Sequence, residues 1–294
     1  MAVIPNEAPF VAPVLVRGGA IKTYIRRHPT IAVGGALLGL MLAIAVFAPF
    51  LGTVDPTALS PAHRLRWPSA EYWFGSDMLG RDIYSRTLYG SRVSLTVGFS
   101  VALLATGIGL AIGLVTGFNR WVDTIVMRVM DGLMSIPGVL IAIALMALTR
   151  ASMSNVIFAI TVAEIPRVTR LVRSVVLTLR EQPFVEAAFA SGTTQLRVMW
   201  RHIVPNTIAT LLVQGTYICA SAMITEAILS FIGAGTPPTI PSWGNIMAEG
   251  RAVFLVAYYV VLFPGIFLSL TVLAINLLGD GLRDALDPRL ARRL

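Results

Sequence analysis

Residues 31–51 read IAVGGALLGLMLAIAVFAPFL and contain no charged side chain. The hydrocarbon core of a bilayer is about 30 Å thick, so an α-helix needs about 20 apolar residues to cross it. The stretch follows Arg17, Lys22, Arg26 and Arg27, as the apolar part of a secretory signal would. A cleaved signal, however, has an apolar core of only about 7–15 residues. We therefore predict a retained transmembrane helix at residues 31–51.

The composition of the whole chain is that of a membrane protein. Of its 294 residues, 56% are hydrophobic and 13% are charged, and the mean hydropathy is +0.77. Soluble domains carry about 25% charged residues, so this chain has too few charges to cover a surface that faces water. A soluble catalytic domain would need a polar tract of roughly 100 residues, and the sequence contains none. The net charge of +8 comes from arginines beside apolar segments, which indicates membrane topology rather than nucleic-acid binding.

Five further apolar segments follow the first one. Together they predict an all-α membrane protein with transmembrane helices at residues 31–51, 93–118, 122–148, 155–172, 207–232 and 253–278. Glu164, Pro166 and Arg167 interrupt the fourth segment, so the pattern leaves its cytoplasmic end open. The predicted transmembrane domain covers 31–280, between tails at 1–30 and 281–294.

The placement of arginine predicts the orientation in the membrane. Positively charged loops close to membrane spans stay in the cytoplasm, and the arginine run from Arg167 to Arg201 and both tails then lie on that side. The first outer loop also carries arginines, but long loops contribute less to this rule. We predict that both termini are cytoplasmic.

Several kinds of catalytic chemistry lack their usual residues. The three histidines are far apart and Cys219 is the only cysteine, which argues against a zinc or iron–sulfur cluster. The only lysine, Lys22, is not preceded by the glycines of a phosphate-binding loop. GxSxG, HExxH and CxxC patterns are absent as well. We therefore predict a non-catalytic subunit without a cofactor of its own.

Glycines recur at positions 109, 113 and 117, four residues apart on one face of the second predicted span. Small residues at this spacing permit close contact between helices in lipid. We interpret them as a packing surface.

The predicted inner loop, EQPFVEAAFASGTTQLRVMWRHIVPN, indicates two short helices. Pro183 suits a helix start and Gly192 a helix end, whereas Thr193 or Thr194 suits the next N-cap. We expect Pro205 to end the second helix. From the residues alone, two interpretations stay open: a docking element for a cytoplasmic partner, or a loop that merely returns the chain to the membrane.

Part of this loop resembles the EAA loop of ABC importer permeases, through Glu186, Ala187, Ala188, Gly192 and Pro205. The end of the motif departs from the family pattern, because His202 and Val204 replace its isoleucine and leucine. Two other segments, Phe74 to Gly98 and Ile224 to Met247, resemble the C-type permease subunit of dipeptide and oligopeptide importers. The resemblance covers most of the chain beyond the N-terminal tail.

This resemblance implies an ABC type I importer permease fold. It also implies that the chain is one subunit of a transporter in which other subunits bind ATP. Such a subunit resides in the bacterial inner membrane and pairs with a homologous B-type permease subunit, two cytoplasmic ATPase subunits and an extracytoplasmic solute-binding protein. ATP and Mg are then bound by the ATPase subunits, and the EAA residues couple them to the permease. The cargo of related permeases ranges over dipeptides, oligopeptides, glutathione, nickel chelates and opine-like solutes, and the sequence does not choose among them.

Three acidic residues lie within the predicted spans, where an ionised group is costly unless it faces a cavity or a partner. We expect Asp131 to pair with Arg128, and Glu164 to pair with Arg167 or a backbone amide. Glu226 has two interpretations, lining the translocation path or hydrogen bonding between helices. If Glu164 and Glu226 formed a proton or cation relay, the alternative function would be a self-sufficient secondary transporter or channel, although the inverted repeats of such proteins are not found.

Overall fold

The computed structural model describes residues 29–286, and this part of the chain is built from helices. The helices, in chain order, are α1 Pro29–Phe47, α2 Ile83–Phe118, α3 Arg120–Met134, α4 Gly138–Ala147, α5 Met153–Arg180, α6 Pro183–Ala190, α7 Gln195–Val198, α8 Val204–Phe231, α9 Trp243–Gly250 and α10 Tyr259–Leu286. The predicted tail at 1–30 lies outside the described residues except for its last two positions. The predicted tail at 281–294 is helical as far as Leu286.

Four helices are long and apolar enough to cross a membrane, or five if the bent pair α3 and α4 counts as one crossing. The four are Pro29–Phe50, Ile83–Phe118, Gln195–Phe231 and Tyr259–Leu286. At about 1.5 Å per residue, the 36 residues of α2 exceed the length a bilayer requires. Its extra turns precede residue 93, the predicted start of that span, and Asp82 caps them by accepting a hydrogen bond from Ser85 N at 2.9 Å.

The third predicted span, 122–148, is not one straight helix. The chain bends by 88° between α3 and α4. Pro137 sits in the break and has no N–H to continue the helical hydrogen bonds, and it also disfavours the helical conformation of Ile136 before it. The apolar pattern alone runs across this break.

The fourth predicted span also differs in its bounds. The helix α5 continues through Pro166 and past residue 172 to Arg180. Its C-terminal half is held by ion pairs with α3, described below, which stabilise a helix whose charged residues weaken the apolar pattern. Whether α5 crosses the membrane stays a prediction.

The glycine surface of α2 packs against α5, as its spacing predicts. A Cβ atom on Gly109, Gly113 or Gly117 would lie 2.5–2.6 Å from the nearest side-chain atom of α5. The opposing side chains are the fully buried Val168, Val172 and Val176. Because glycine has no Cβ, the two helix backbones approach closely along three turns.

The expected helix end at Pro205 is wrong. A π turn, Met199–Ile203, joins α7 to α8, and the N–H of Val204 donates to the carbonyl of Met199. Pro205 is therefore the second residue of α8 and lies inside a continuous helical run. It has no N–H to donate there, and the wider π turn before it accommodates the proline. The second short helix and the fifth predicted span are one continuous helical run, Gln195–Phe231.

Candidate functional site

The EAA residues lie on a short helix that projects from the membrane-spanning helices. Val185 is the one buried side chain of α6, and Val198 and Ile203 of the next helical run are also fully buried. Phe184 and Phe189, at the two ends of α6, are exposed. Glu186 and Ala187 are exposed and Ala188 is half-buried. We call the exposed residues 184, 186, 187 and 189 the α6 surface.

Gly192 forms the turn after α6. Its φ is +78°, a conformation that residues with a Cβ rarely adopt. The N–H of Gly192 donates to Phe189 O at 2.9 Å, and the N–H of Thr193 donates to Ala188 O at 3.1 Å. This pair of hydrogen bonds is the Schellman motif of helix ends. The sequence predicts the helix end correctly, and the structure supplies the reason for glycine there.

Arg180 fixes the base of this element to α2. Its Nη1 donates to the carbonyl of Gly117 at 2.6 Å, and its guanidinium lies 5.0 Å from the centre of the Phe118 ring. This contact ties the end of α5, after which α6 begins, to the end of α2. The sequence contains no signal for this contact, because the two residues are 63 positions apart.

Ion pairs join α3 to the C-terminal half of α5. Arg173 contacts both carboxylate oxygens of Asp123, with Nη2 2.7 Å from Oδ2. Arg170 Nη2 lies 2.5 Å from Asp131 Oδ1. The expected pair of Asp131 with Arg128 is therefore wrong, because the bend after α3 turns this face of the helix towards α5.

Glu164 pairs with Arg167, one of its two expected partners. Arg167 Nη1 lies 3.6 Å from Glu164 Oε2, which is too long for a hydrogen bond. Within residues 29–286, that buried oxygen accepts no hydrogen bond. Glu164 is therefore a buried carboxylate next to a cation with one oxygen left without a donor.

Glu226 lies in a polar cluster made by its own chain, although its Oε2, like that of Glu164, accepts no hydrogen bond from the described residues. Its side chain is fully buried, and Ser230 Oγ donates to Oε1 at 2.8 Å. Thr236 Oγ1 is 3.5 Å from the same oxygen and accepts a hydrogen bond from Asn245 Nδ2 at 2.9 Å. The cluster joins the end of α8 to α9, so Glu226 organises the connection between two helices.

A second cluster, at the same end of the helices, was not singled out from the sequence. Asp77 Oδ2 accepts from Arg81 Nε at 2.7 Å and from Arg86 Nη1 at 2.6 Å. Both arginines also contact Glu249 Oε2 at 2.5 Å. The segment that contains Asp77 is part of the resemblance described above, but Glu249 is 163 residues from Arg86, and only the fold brings them together.

No group of three or more potential metal-binding side chains occurs in the described range, residues 29–286.

Comparisons with known proteins agree on one family. A family model described as "Binding-protein-dependent transport system inner membrane component" matches residues 105–292. The chain is 53% identical over 268 residues to the Sinorhizobium fredii protein named "Probable peptide ABC transporter permease protein y4tQ", covering 91% of this chain and 92% of the relative.

Two further relatives carry names that specify a cargo. The dipeptide transport system permease protein DppC of Alkalihalophilus pseudofirmus is 40% identical, over 90% of this chain and 88% of the relative. The glutathione transport system permease protein GsiD of Pectobacterium atrosepticum is 40% identical, over 92% of this chain and 90% of the relative.

The fold is also similar to a solved structure, the MetNI methionine ABC transporter in an inward-facing conformation. The TM-score is 0.57 at 20% identity, and the match covers 68% of this chain and 96% of that chain. The similarity supports a type I ABC importer permease fold for the described helices.

Proposed function

This chain belongs to the family of binding-protein-dependent transport system inner membrane components, and from that membership we propose that it is a permease subunit of an ATP-driven peptide importer. Its relatives are named for peptides, dipeptides and glutathione, which share a backbone of amide groups between charged ends. A secondary transporter or channel has no support among these relatives.

The observation that carries the proposal at the level of mechanism is the projecting α6 surface. Exposed apolar side chains on a short helix fit a groove in a partner protein. The small Ala187 permits close approach, whereas the aromatic rings of Phe184 and Phe189 supply apolar area. We assign this surface to the contact with an ATPase subunit, with Glu186, Ala187, Ala188, Gly192 and Pro205 as the coupling residues.

The contribution of the chain is conformational. The α6 surface receives the movement of the ATPase, and Gly192 transmits it through a rigid turn. Pro205 lies at the start of α8, directly after the π turn that joins α7 to it. Arg180, at the end of α5, is hydrogen-bonded to α2. The movement of α6 therefore reaches α2, α5 and α8 together.

The proposal names the partners by their task. A homologous permease subunit completes the path, and two ATPase subunits bind ATP and Mg and supply the energy. A solute-binding protein on the outer side delivers the peptide. The chain then lies in the bacterial inner membrane with both termini in the cytoplasm, an orientation supported by the arginine run from Arg167 to Arg201.

The test is ATP-driven uptake by the reconstituted complex. The chain is purified together with its partner subunits, placed in lipid vesicles and supplied with the binding protein and a radiolabelled dipeptide. We expect uptake that requires both ATP and the binding protein. Uptake driven by an ion gradient without the ATPase subunits would contradict the proposal.

The contact itself is tested with a matched pair of variants. Phe189→Ala removes an exposed ring from the α6 surface, and Phe254→Ala removes one from the outer side; the two residues are 42% and 53% exposed. We expect Phe189→Ala to weaken binding of the ATPase subunits and Phe254→Ala to leave it unchanged. Equal binding by both variants would place the ATPase contact elsewhere.

A further inference from the structure

Polar residues line one side of α8. Consecutive residues of an α-helix are about 100° apart around its axis, and by this measure six polar residues of α8 fall within an arc of about 100°. They are Asn206, Thr210, Gln214, Tyr217, Ser221 and Thr225. We call them the polar stripe. None of them is buried, and Ile224 and Ile228 continue the same side towards the outer end of the helix.

The opposite side of α8 is apolar. Ile208, Leu212 and Gly215 line a groove of about 430 Å³ together with side chains of α1 and α2, such as Leu38 and Leu103. Such a surface is suited to packing and to lipid tails. Glu226 belongs to this opposite side, because it lies about 150° around the helix from the centre of the polar stripe.

Charged residues of α5 face the polar stripe. The guanidinium of Arg167 lies 5.4 Å from the centre of the Tyr217 ring. Glu164 is next to Arg167, and its Oε2 accepts no hydrogen bond from the described residues. A cavity of about 150 Å³ lies beside Tyr217, Ser221 and Asn276, the last of which belongs to α10.

This arrangement is costly against lipid. Ionisable and polar side chains in membrane helices face a water-filled cavity or a partner, and hydrocarbon offers Glu164 Oε2 no donor. The apolar residues of α8 are already collected on its other side. Water in a cavity would satisfy the hydroxyl, amide and carboxylate groups at once.

We propose that the polar stripe of α8, with Glu164 and Arg167 of α5 and Asn276 of α10, is this chain's wall of the translocation path. The inference rests on the proposed importer function and excludes Glu226 from the path. The wall carries hydroxyl and amide groups and a pair of opposite charges, so it suits a hydrated solute with amide groups and charged ends. A peptide is such a solute.

Cysteine labelling in the assembled complex tests this wall. Tyr217→Cys lies on the polar stripe and Leu212→Cys on the apolar side, and the original side chains are matched at 52% and 51% exposed. Each is made in a Cys219→Ser background, because Cys219 is the only other cysteine. A cationic, water-soluble methanethiosulfonate is the probe, and its reaction rate is measured in membrane vesicles.

We expect Tyr217→Cys to react at least about tenfold faster, because an apolar environment raises the pKa of a thiol and lowers its reactive thiolate fraction. We also expect its rate to change when the ATPases are trapped with ATP and vanadate. A lipid-soluble maleimide should label Leu212→Cys, which shows that its thiol is reactive, and copurification with the partner subunits shows that this variant is assembled. Rates within about twofold of each other, as expected if a partner helix or lipid covers the stripe, would overturn the inference.

Uptake by the unsubstituted complex separates this inference from the proposed function. If Tyr217→Cys is labelled slowly in a complex whose parent takes up the dipeptide, the polar stripe does not line the translocation path. The proposed importer function is then unaffected. Fast labelling in a complex whose parent shows no ATP-driven uptake would overturn the importer and retain a water-facing side of α8.

Discussion

At the scale of single residues, Glu226 shows how little a residue type reveals about its role. A carboxylate in an apolar segment is equally suited to a solute path and to a hydrogen bond between helices. The tertiary contacts favour the second role, because Ser230 and Thr236 of its own chain surround it. Its position joins α8 to the segment that leads into α9.

We therefore expect Glu226→Ala to lower the thermal stability of the purified complex. The substitution leaves Ser230 without its acceptor, a loss of about 1–2 kcal/mol. Glu226→Gln keeps an acceptor oxygen and should be nearly silent in both stability and uptake. Thr106→Val is a control that removes a hydroxyl bonded only to its own helix. A Glu226→Gln complex of normal stability but strongly reduced uptake would return Glu226 to the path.

Gly192 has a backbone conformation on which the proposed coupling between the ATPases and the permease depends. A Cβ there meets no atom within 4 Å, so the obstacle is the φ of +78° and not space. A side chain in this conformation costs about 1–2 kcal/mol and favours a different turn.

We expect Gly192→Trp to insert into the membrane normally but to lose uptake while ATP hydrolysis continues. Gly52→Trp is the matched control, because Gly52 has a φ of +71° and is equally open but lies outside the coupling element. ATP hydrolysis and peptide uptake are measured in the same vesicles. Normal uptake by Gly192→Trp would make the turn a passive connector.

At the scale of elements, the contact between α2 and α5 transmits movement because its backbones are close. Glycines on α2 and buried valines on α5 leave no room for a side chain. The ion pairs of Arg170 and Arg173 hold α3 to the same face of α5. The three helices are expected to move as one unit.

Gly113→Val tests this contact, since a Cβ at Gly113 would lie 2.6 Å from the Cβ of Val172. We expect the complex to lose about 1–3 kcal/mol of stability, the usual range for overpacking. Gly107→Val is the control in the same helix, because a Cβ there meets nothing within 4 Å. The second change Val172→Ala should restore part of the loss. Equal melting temperatures for the Gly113 and Gly107 variants would contradict close packing at this site.

At the scale of the whole molecule, the helices place two kinds of machinery at opposite ends. The α6 surface and the ion pairs of α5 lie towards one end. The clusters around Glu226 and Asp77 lie towards the other end. There Glu249 of α9 contacts Arg81, before α2, and Arg86, in its first turns. This separation is what an importer needs, because energy enters on one side and solute on the other.

Labelling from one side tests the orientation. Single cysteines at Ser69 and Thr239 should react with an impermeant thiol reagent added outside intact cells, whereas one at Thr194 should react only after permeabilisation. All three side chains are exposed, so access depends on the membrane, and Cys219 is replaced by serine throughout. Labelling of Thr194→Cys in intact cells would reverse the predicted topology.

The sequence by itself determined the features that depend on local pattern. Apolar segments about 20 residues long indicate membrane helices because the thickness of the bilayer sets their length. The glycine spacing predicts a close helix contact, and Gly192 predicts the end of α6, because each depends on a few neighbouring residues. The resemblance of residues 186–188 and of two longer segments indicates the family without any tertiary information.

Only the tertiary structure decided the features that depend on distant residues. The partner of Asp131 is Arg170 and not the neighbouring Arg128, and Glu249 meets Arg86 across 163 positions. The bend between α3 and α4 and the π turn before Pro205 interrupt or continue helices where the apolar pattern indicates otherwise. Which side of α8 is polar follows from the sequence, but what that side faces depends on how α5 and α10 pack against it. Packing chooses among chemically equivalent partners, and a one-dimensional pattern contains no distances with which to choose.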